Sequence, residues 1–339
     1  MTYFLEARNV TKTFGGSGLF HKKETVALEA ISMFVRENPA SIIGIAGESG
    51  SGKTTLARLL MGFIHPTRGE VLYRGNDLRH ISRQEKLAFR KEVQAVFQDP
   101  FGVYNPFYKI DHALYTPLKK LQITNSKTRA RQMIVEAMEA IGLNPEETLG
   151  RFPQQLSGGQ RQRVMVARAF LLKPRLIIAD EPVSMVDASL RATILQSLRK
   201  LNQEFGISIL YISHDLTTTY QISDHIVVLY RGTVAEIGDI DQVIKDPKHP
   251  YSQLLVESIP RPDPTKRWST HLTTFKENAT ESTAKGCKFA PYCPAVIPDL
   301  CPDSPPPMYQ THSKRAVRCF LYQDAHEIPG EEMKLVLDQ

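Results

Sequence analysis

In the first forty residues apolar and polar positions tend to alternate, with Val26, Leu28, Ile31, Met33 and Val35 carrying the pattern, which predicts short half-buried strands. Residues 16 to 24, rich in Gly and Lys, read as an exposed hairpin or loop. Two continuous apolar runs follow, Ser41 to Ala46 and Leu176 to Ala179, and each has the length and composition of a strand buried on both faces of a parallel sheet. Leu56 to Met61 is compatible with a helix. From Lys127 to Leu143 the apolar positions Ala130, Met133, Ile134, Ala137, Met138 and Ile141 share one helical face, and Gly142 stops it. Strands and helices therefore alternate at both ends of the first 245 residues, with a helical stretch at about 100–160 between them. The fold class is α/β, a parallel sheet with an inserted α-helical lobe.

After residue 245 the composition changes. Pro260, Pro262 and Pro264, the run Pro305-Pro306-Pro307 and all four cysteines lie there. The expected organisation is a main domain at 1–245, a linker segment at 246–284 and a small Cys-rich module at 285–339.

Composition narrows the class without naming a function. Of 339 residues, 42% are hydrophobic and 23% charged, as in an ordinary globular protein. The net charge of +6 is scattered, with no basic run, and argues against a nucleic-acid partner. No apolar run approaches the ~20 residues of a membrane span. The first residues lack the basic and apolar regions of a secretory signal, so a cytosolic setting with reduced thiols is expected.

Residues 47–54, Gly-Glu-Ser-Gly-Ser-Gly-Lys-Thr, have the form G-x-x-x-x-G-K-T between an apolar strand and a helix. Gly47, Glu48, Ser49, Gly50, Ser51 and Gly52 would turn backbone N–H groups around a polyphosphate, with Thr55 at the helix start. Lys53 would reach the β- and γ-phosphates, and the Thr54 hydroxyl would ligate Mg²⁺. The second apolar run ends in Asp180-Glu181. Asp180 is suited to hold Mg²⁺, and Glu181 to orient or deprotonate an attacking water.

Leu-Ser-Gly-Gly-Gln-Arg-Gln-Arg at 156–163 then identifies the pattern. With the phosphate loop and Asp180-Glu181 it resembles the ABC ATPase family over residues 1 to about 240. That resemblance implies further roles. Phe14 would stack on adenine, where Tyr is more usual. Gln98 would touch Mg²⁺ or water and relay nucleotide state. His214 would meet the γ-phosphate and act with Glu181 in catalysis. Ser157, Gly158, Gly159 and Gln160, with Asp187, would face the ATP held by a second ATPase subunit. Met185-Val186 stands where Ala-Leu is usual.

The cysteines Cys287, Cys293, Cys301 and Cys319 are separated by five, seven and seventeen residues. Four thiolates in a reducing compartment are a soft-ligand set for Zn²⁺ or an iron–sulfur cluster, and C-x-x-C pairs typical of structural zinc are absent. His249-Pro250-Tyr251 and the proline-rich stretch after it resemble the C-terminal region of oligopeptide/dipeptide-type importer ATPases. That resemblance implies a 4Fe–4S cluster, with Zn²⁺ as the alternative, and ATP with Mg²⁺ at the phosphate loop. It also implies an ATPase subunit on the cytoplasmic face of a membrane, driving uptake of di- or oligopeptides. Its partners would be two permeases, a second homologous ATPase (a heterodimer) and, indirectly, an extracellular binding protein. The rival readings are the same machinery importing oligosaccharides or nickel, a soluble non-transport ABC ATPase, and a non-catalytic metal-binding subunit.

Overall fold

Two sheets supply the frame. The computed structural model describes residues 3–15, 24–259, 285–329, 332 and 336–337. The loop expected at 16–24, apart from Glu24, and the stretch 260–284 lie outside them. Strands β1 (Leu5–Phe14) and β2 (Thr25–Val35) pair antiparallel, and β4 (Arg68–Tyr73) and β5 (Asn76–Asp77) join them in the order β2-β1-β4-β5. The short strands expected in the first forty residues are thus ten and eleven residues long.

The larger sheet is built on β3 (Ile42–Ala46), β6 (Val93–Val96), β7 (Leu176–Asp180), β8 (Ser208–Ile212) and β9 (His225–Tyr230). Their order is β9-β3-β8-β7-β6, and every neighbouring pair is parallel. Side chains alternate across this sheet as the pleat requires. Ile43, Ile45, Ile178, Leu210 and Ile212 face the first sheet, where they meet Leu56 and Leu60 of α1 (Lys53–Leu60) and Phe4, Leu5 and Val71. Ile42, Ile177, Ile209 and Tyr211 face the opposite way. They pack among Ile134 and Met138 of α4 (Lys127–Ala140), Val164 of α6 (Gly158–Phe170) and Ile194 and Leu198 of α7 (Ala188–Phe205). Each fully buried Ile or Leu of this kind contributes about 1.5–3 kcal/mol, which fixes the strand register.

Between β6 and β7 the chain is helical: α3 (Ile110–Lys120), α4, the single turn α5 (Pro145–Thr148) and α6. Their limits follow from local chemistry. Ser126 accepts the Arg129 N–H at the start of α4, and Gly142, at φ 71°, stops the chain just past its end. On the other side of the sheet α2 (Arg83–Glu92) opens with a capping box between Ser82 and Glu85.

The C-terminal region is not free-standing. Strand β10 (Thr233–Asp239) pairs with β9, and β12 (Arg315–Val317) pairs antiparallel with β10, followed by β11 (Met308–His312) and β13 (His326–Ile328). The sequence places a separate module after residue 284, yet these strands continue the main sheet to nine. Three-residue strands without a strong pattern carry too little local signal to announce such a pairing.

Helices α8 (Leu216–Ile222), α9 (Ile240–Lys245) and α10 (Pro250–Glu257) close this end. His249 caps α10, its Nδ1 accepting the Tyr251 N–H at 3.0 Å. The fully buried Glu236 of β10 accepts the N–H groups of Lys248 and His249 at 2.9–3.2 Å. Burial holds the His249 imidazole down at about 4. Geometry agrees, because a protonated Nδ1 would point a second donor at the Tyr251 N–H.

A histidine with a lowered folded pKa binds its proton more readily when unfolded, so its stabilising share is present above about 6.5 and is lost as pH falls toward about 4. The loss is of the order of 3 kcal/mol. Urea unfolding at about pH 7.5 and about pH 5 should show about 2 kcal/mol of this fall in the wild type and much less of it in His249→Gln. The same pH dependence in both proteins would contradict it.

Candidate functional site

A polar cavity of about 610 Å³ opens at the carboxyl ends of β3, β7 and β8. It is lined by the 47–55 loop together with Gln98, Glu181 and His214. The loop leaves β3 at Gly47, whose φ of +148° no side chain adopts readily. A Cβ there would also collide with the Leu229 carbonyl of β9 and stand 2.8 Å from Ser51 Oγ. Gly52, at φ 104°, caps α1 in the left-handed region without a side-chain acceptor. The first-turn N–H groups of α1 are therefore turned to the cavity with no acidic residue to absorb them, an arrangement suited to anionic oxygens.

Lys53 is the charge at the centre. Its side chain is buried, and Nζ donates to the carbonyls of Gly47 and Glu48 at 2.7 Å each. Burial pushes the ammonium below its ordinary value, while Glu181, Asp180 and Glu48 oppose that shift. Asp180, at the end of β7, is pushed above the carboxylate range by burial first and by Glu181 second, with Thr54 and Lys53 acting the other way. Its Oδ1 is buried and has no hydrogen-bond partner among the described residues. A carboxylate oxygen buried with an unused lone pair beside the Thr54 hydroxyl fits a divalent cation, since oxygen ligands are what Mg²⁺ takes.

Glu181 sits at φ 47°, a left-handed conformation that costs a non-glycine residue about 1 kcal/mol or more. Its N–H bonds to the Ile212 carbonyl at 2.9 Å, pinning the turn to β8. One carboxylate oxygen accepts from Gln98 Nε2 at 3.0 Å, and the other meets His214 Nδ1 at 2.9 Å. Sequence elements 83 and 33 residues away in the chain are thereby joined on one acid. The acid is oriented toward the phosphate loop, as general-base work requires.

Other sequence-predicted residues lie elsewhere. Ser157 caps α6 in a reciprocal box with Gln160 (3.2 and 2.9 Å). Gly159 is buried where a Cβ would stand 2.5 Å from Leu190 Cδ1, which follows Asp187 at the head of α7. The Arg161 guanidinium lies 4.3 Å over the Phe101 ring, close to Gly158. None of Ser157, Gly158, Gly159, Gln160 and Asp187 lines the cavity of its own chain, nor does Phe14. Phe14 is 44% exposed near the end of β1, with the Lys12 ammonium 5.1 Å from its ring. Two lining residues, Ala27 and Leu255, carry no chemistry-bearing atom that sequence reasoning could have picked. The Tyr251 hydroxyl accepts the Glu48 N–H at 2.9 Å, a contact the sequence motif does not announce.

The four cysteines converge. Cys287, Cys293, Cys301 and Cys319 line one small apolar cavity with Phe289, Ala290 and Phe320. Burial raises the thiols of Cys287, Cys293 and Cys319, the last to about 11. No group of three or more His, Cys, Asp or Glu among the described residues is spaced for a metal ion. A tetrahedral Zn²⁺ at about 2.3 Å from each sulfur would need the thiols within about 4 Å of one another.

A family model described as "ABC transporter" matches residues 29–184, and one described as "Oligopeptide/dipeptide transporter, C-terminal region" matches residues 235–301. A dipeptide transport ATP-binding protein of Haemophilus influenzae is 36% identical over 307 residues, 89% of this chain and 91% of that protein. An oligopeptide transport ATP-binding protein of Bacillus subtilis is 35% identical over 325 residues, 94% of this chain and 97% of that protein. Among solved structures, a dimeric ATP-binding cassette in a post-hydrolysis state with ADP and Pi superposes with a TM-score of 0.61. That pair is 28% identical, and the match covers 70% of this chain and 98% of the other.

Gly47→Ala should leave the fold intact and abolish binding of a fluorescent ATP analogue, because the loop must swing away from Leu229. An unchanged affinity in that variant would contradict the role given to the loop.

Proposed function

Because this chain belongs to the ABC transporter ATP-binding proteins, in the oligopeptide/dipeptide branch, we propose that it hydrolyses ATP to drive peptide uptake through two membrane permeases. The observation that carries the enzymatic part is the convergence of Lys53, Gln98, Glu181 and His214 on one cavity. Lys53 exchanges its carbonyl partners for the β- and γ-phosphate oxygens, and the α1 N–H groups hold the same phosphates. Thr54, Asp180 and Gln98 would hold Mg²⁺, which would neutralise charge on the transferring group. Glu181 takes the proton of the attacking water, and His214 and Gln98 keep its carboxylate aimed. Arranged donors of this kind are worth about 3 kcal/mol each in the transition state.

One loop and one Ser-Gly-Gly turn per chain make half of a paired site. Ser157, Gly158, Gly159 and Gln160 at the head of α6, with Asp187, serve the nucleotide of a companion ATPase subunit, and Phe14 stacks on adenine in its own. The companion is a similar, distinct chain. Permease docking falls to the groove of about 440 Å³ between the α1–α2 region and the helical stretch. Phe63, Ile81, Phe89 and Phe97 make it apolar, and Lys86 and Arg90 rim it. Phe97 precedes Gln98, so a segment seated there would bear on the residue that holds Glu181. Among the described residues no helix is long and apolar enough to cross a membrane. The subunit acts peripherally, on the cytoplasmic face, where an external binding protein delivers solute to the permeases.

A 4Fe–4S cluster held by Cys287, Cys293, Cys301 and Cys319, which line one small cavity, would cross-link the loops that carry them. Cys287, Cys293 and Cys319, whose thiols burial raises, would bind such a cluster as thiolates.

Glu181→Gln should keep ATP affinity and lower kcat by about 10²- to 10⁴-fold in the assembled transporter. Wild-type turnover in that variant would remove Glu181 from the mechanism. Cys293→Ser should lose brown colour and bound iron, whereas a full iron complement would refute its place as a ligand.

A further inference from the structure

Tyr251 is fully buried at the start of α10, 203 residues along the chain from the backbone amide it holds. Its hydroxyl accepts the Glu48 N–H at 2.9 Å. Glu48 is the second residue of the phosphate loop, on which Lys53 also rests through the Glu48 carbonyl at 2.7 Å. Both backbone groups of one loop residue are thus fixed, the N–H from outside the loop and the carbonyl from within it. The Tyr251 ring is gripped in turn. Its centroid lies 4.4 Å from that of Tyr230 at the end of β9 and 5.6 Å from that of Phe289. Phe289 stands edge-on to Tyr230 at 5.3 Å and is itself buried, between Cys287 and Cys293 in the chain. Cys287 and Cys293 pack against the same cluster. Leu255, one turn along α10 from Tyr251, lines the nucleotide cavity.

We propose that Tyr251 is a positioning residue for nucleotide, tying the phosphate loop to the Cys-bearing segment through Phe289, so that the order of that segment sets the affinity for ATP. The inference rests on the ATP-binding reading above. Three glycines, at 47, 50 and 52, leave the loop many backbone states, and an anion site gains affinity when that freedom is removed before binding. The Glu48 N–H is held by a rigid phenol on a two-torsion side chain, which removes freedom at little entropic cost. Nothing in this contact touches the reacting atoms. Its effect therefore falls on binding and leaves the chemical step alone.

Tyr251→Phe keeps the ring and its packing and removes only the acceptor. In the assembled transporter it should raise KM for ATP by about three- to tenfold, what one net hydrogen bond carries, while kcat at saturating ATP stays within about twofold. The Kd of a fluorescent ATP analogue should rise in parallel. Hydrogen exchange at the amides of Glu48 to Ser51 should quicken in Tyr251→Phe, and also in Phe289→Leu, which keeps apolar bulk but loses the ring contact. Wild-type KM and wild-type exchange in Tyr251→Phe would overturn the positioning role, as would a fall in kcat with KM unmoved, the mark of an interaction made only in the transition state. A wild-type protein without ATP affinity would overturn the nucleotide reading itself, a result distinguishable from either.

Discussion

Parallel pairing of β3, β8 and β7 holds the arrangement together. Ile45 is opposite Ile212, and Ile212 is opposite Asp180, so the three strands end at one level of one sheet edge. Each strand then releases a different chemical group there: β3 the phosphate loop, β7 the acidic pair, β8 the segment carrying His214. Apolar side chains on both faces of these strands forbid a one-residue slip, which would send every buried Ile to the wrong layer. The site is accurate because the register beneath it has no alternative. Parallel α/β sheets place ligands at this edge for the same reason.

Within that frame the electrostatics are incomplete in a directed way. Lys53 is buried and already satisfied by its own loop's carbonyls, so it holds a position without needing a ligand. Asp180 is pushed above the carboxylate range by burial first and by the neighbouring Glu181 second. On the function proposed above, an arriving polyphosphate with a divalent ion would meet both groups at once, the cation the carboxylates and the anion the lysine. The left-handed backbone of Glu181 belongs to the same logic. It is a local cost borne by the β7–β8 bonding around it, which sets the carboxylate where Gln98 and His214 can both reach it.

Sequence made the contiguous parts legible and missed those assembled from afar. The glycines and Lys53 of the loop, the apolar run into Asp180-Glu181 and the amphipathic face from Ala130 to Ile141 declare themselves because their chemistry and periodicity are local. His214 and Gln98 carried no such signal by themselves, and only family resemblance pointed to them. Their meeting on Glu181 spans 33 and 83 residues. The union of β12 with β10 was hidden because three-residue strands have no periodicity to read. The grip of Tyr251 on Glu48 was hidden because a buried phenol looks like core until its partner, 203 residues away, is in view. The C-terminal segment consequently looked like an appendage, whereas its strands complete the sheet and its aromatic residues underlie the phosphate loop.

A single chain presents the loop on one surface and the Ser157 turn on another, with no Ser157-turn residue in the cavity the loop lines. The decisive measurement is a structure of the assembled transporter with Mg²⁺ and a non-hydrolysable ATP analogue. The account predicts Lys53 Nζ within hydrogen-bond distance of the terminal phosphates, Asp180 at the cation, and a serine–glycine turn of the companion ATPase subunit closing over the same phosphate. A nucleotide seated elsewhere, with Lys53 still on the carbonyls of Gly47 and Glu48, would contradict it.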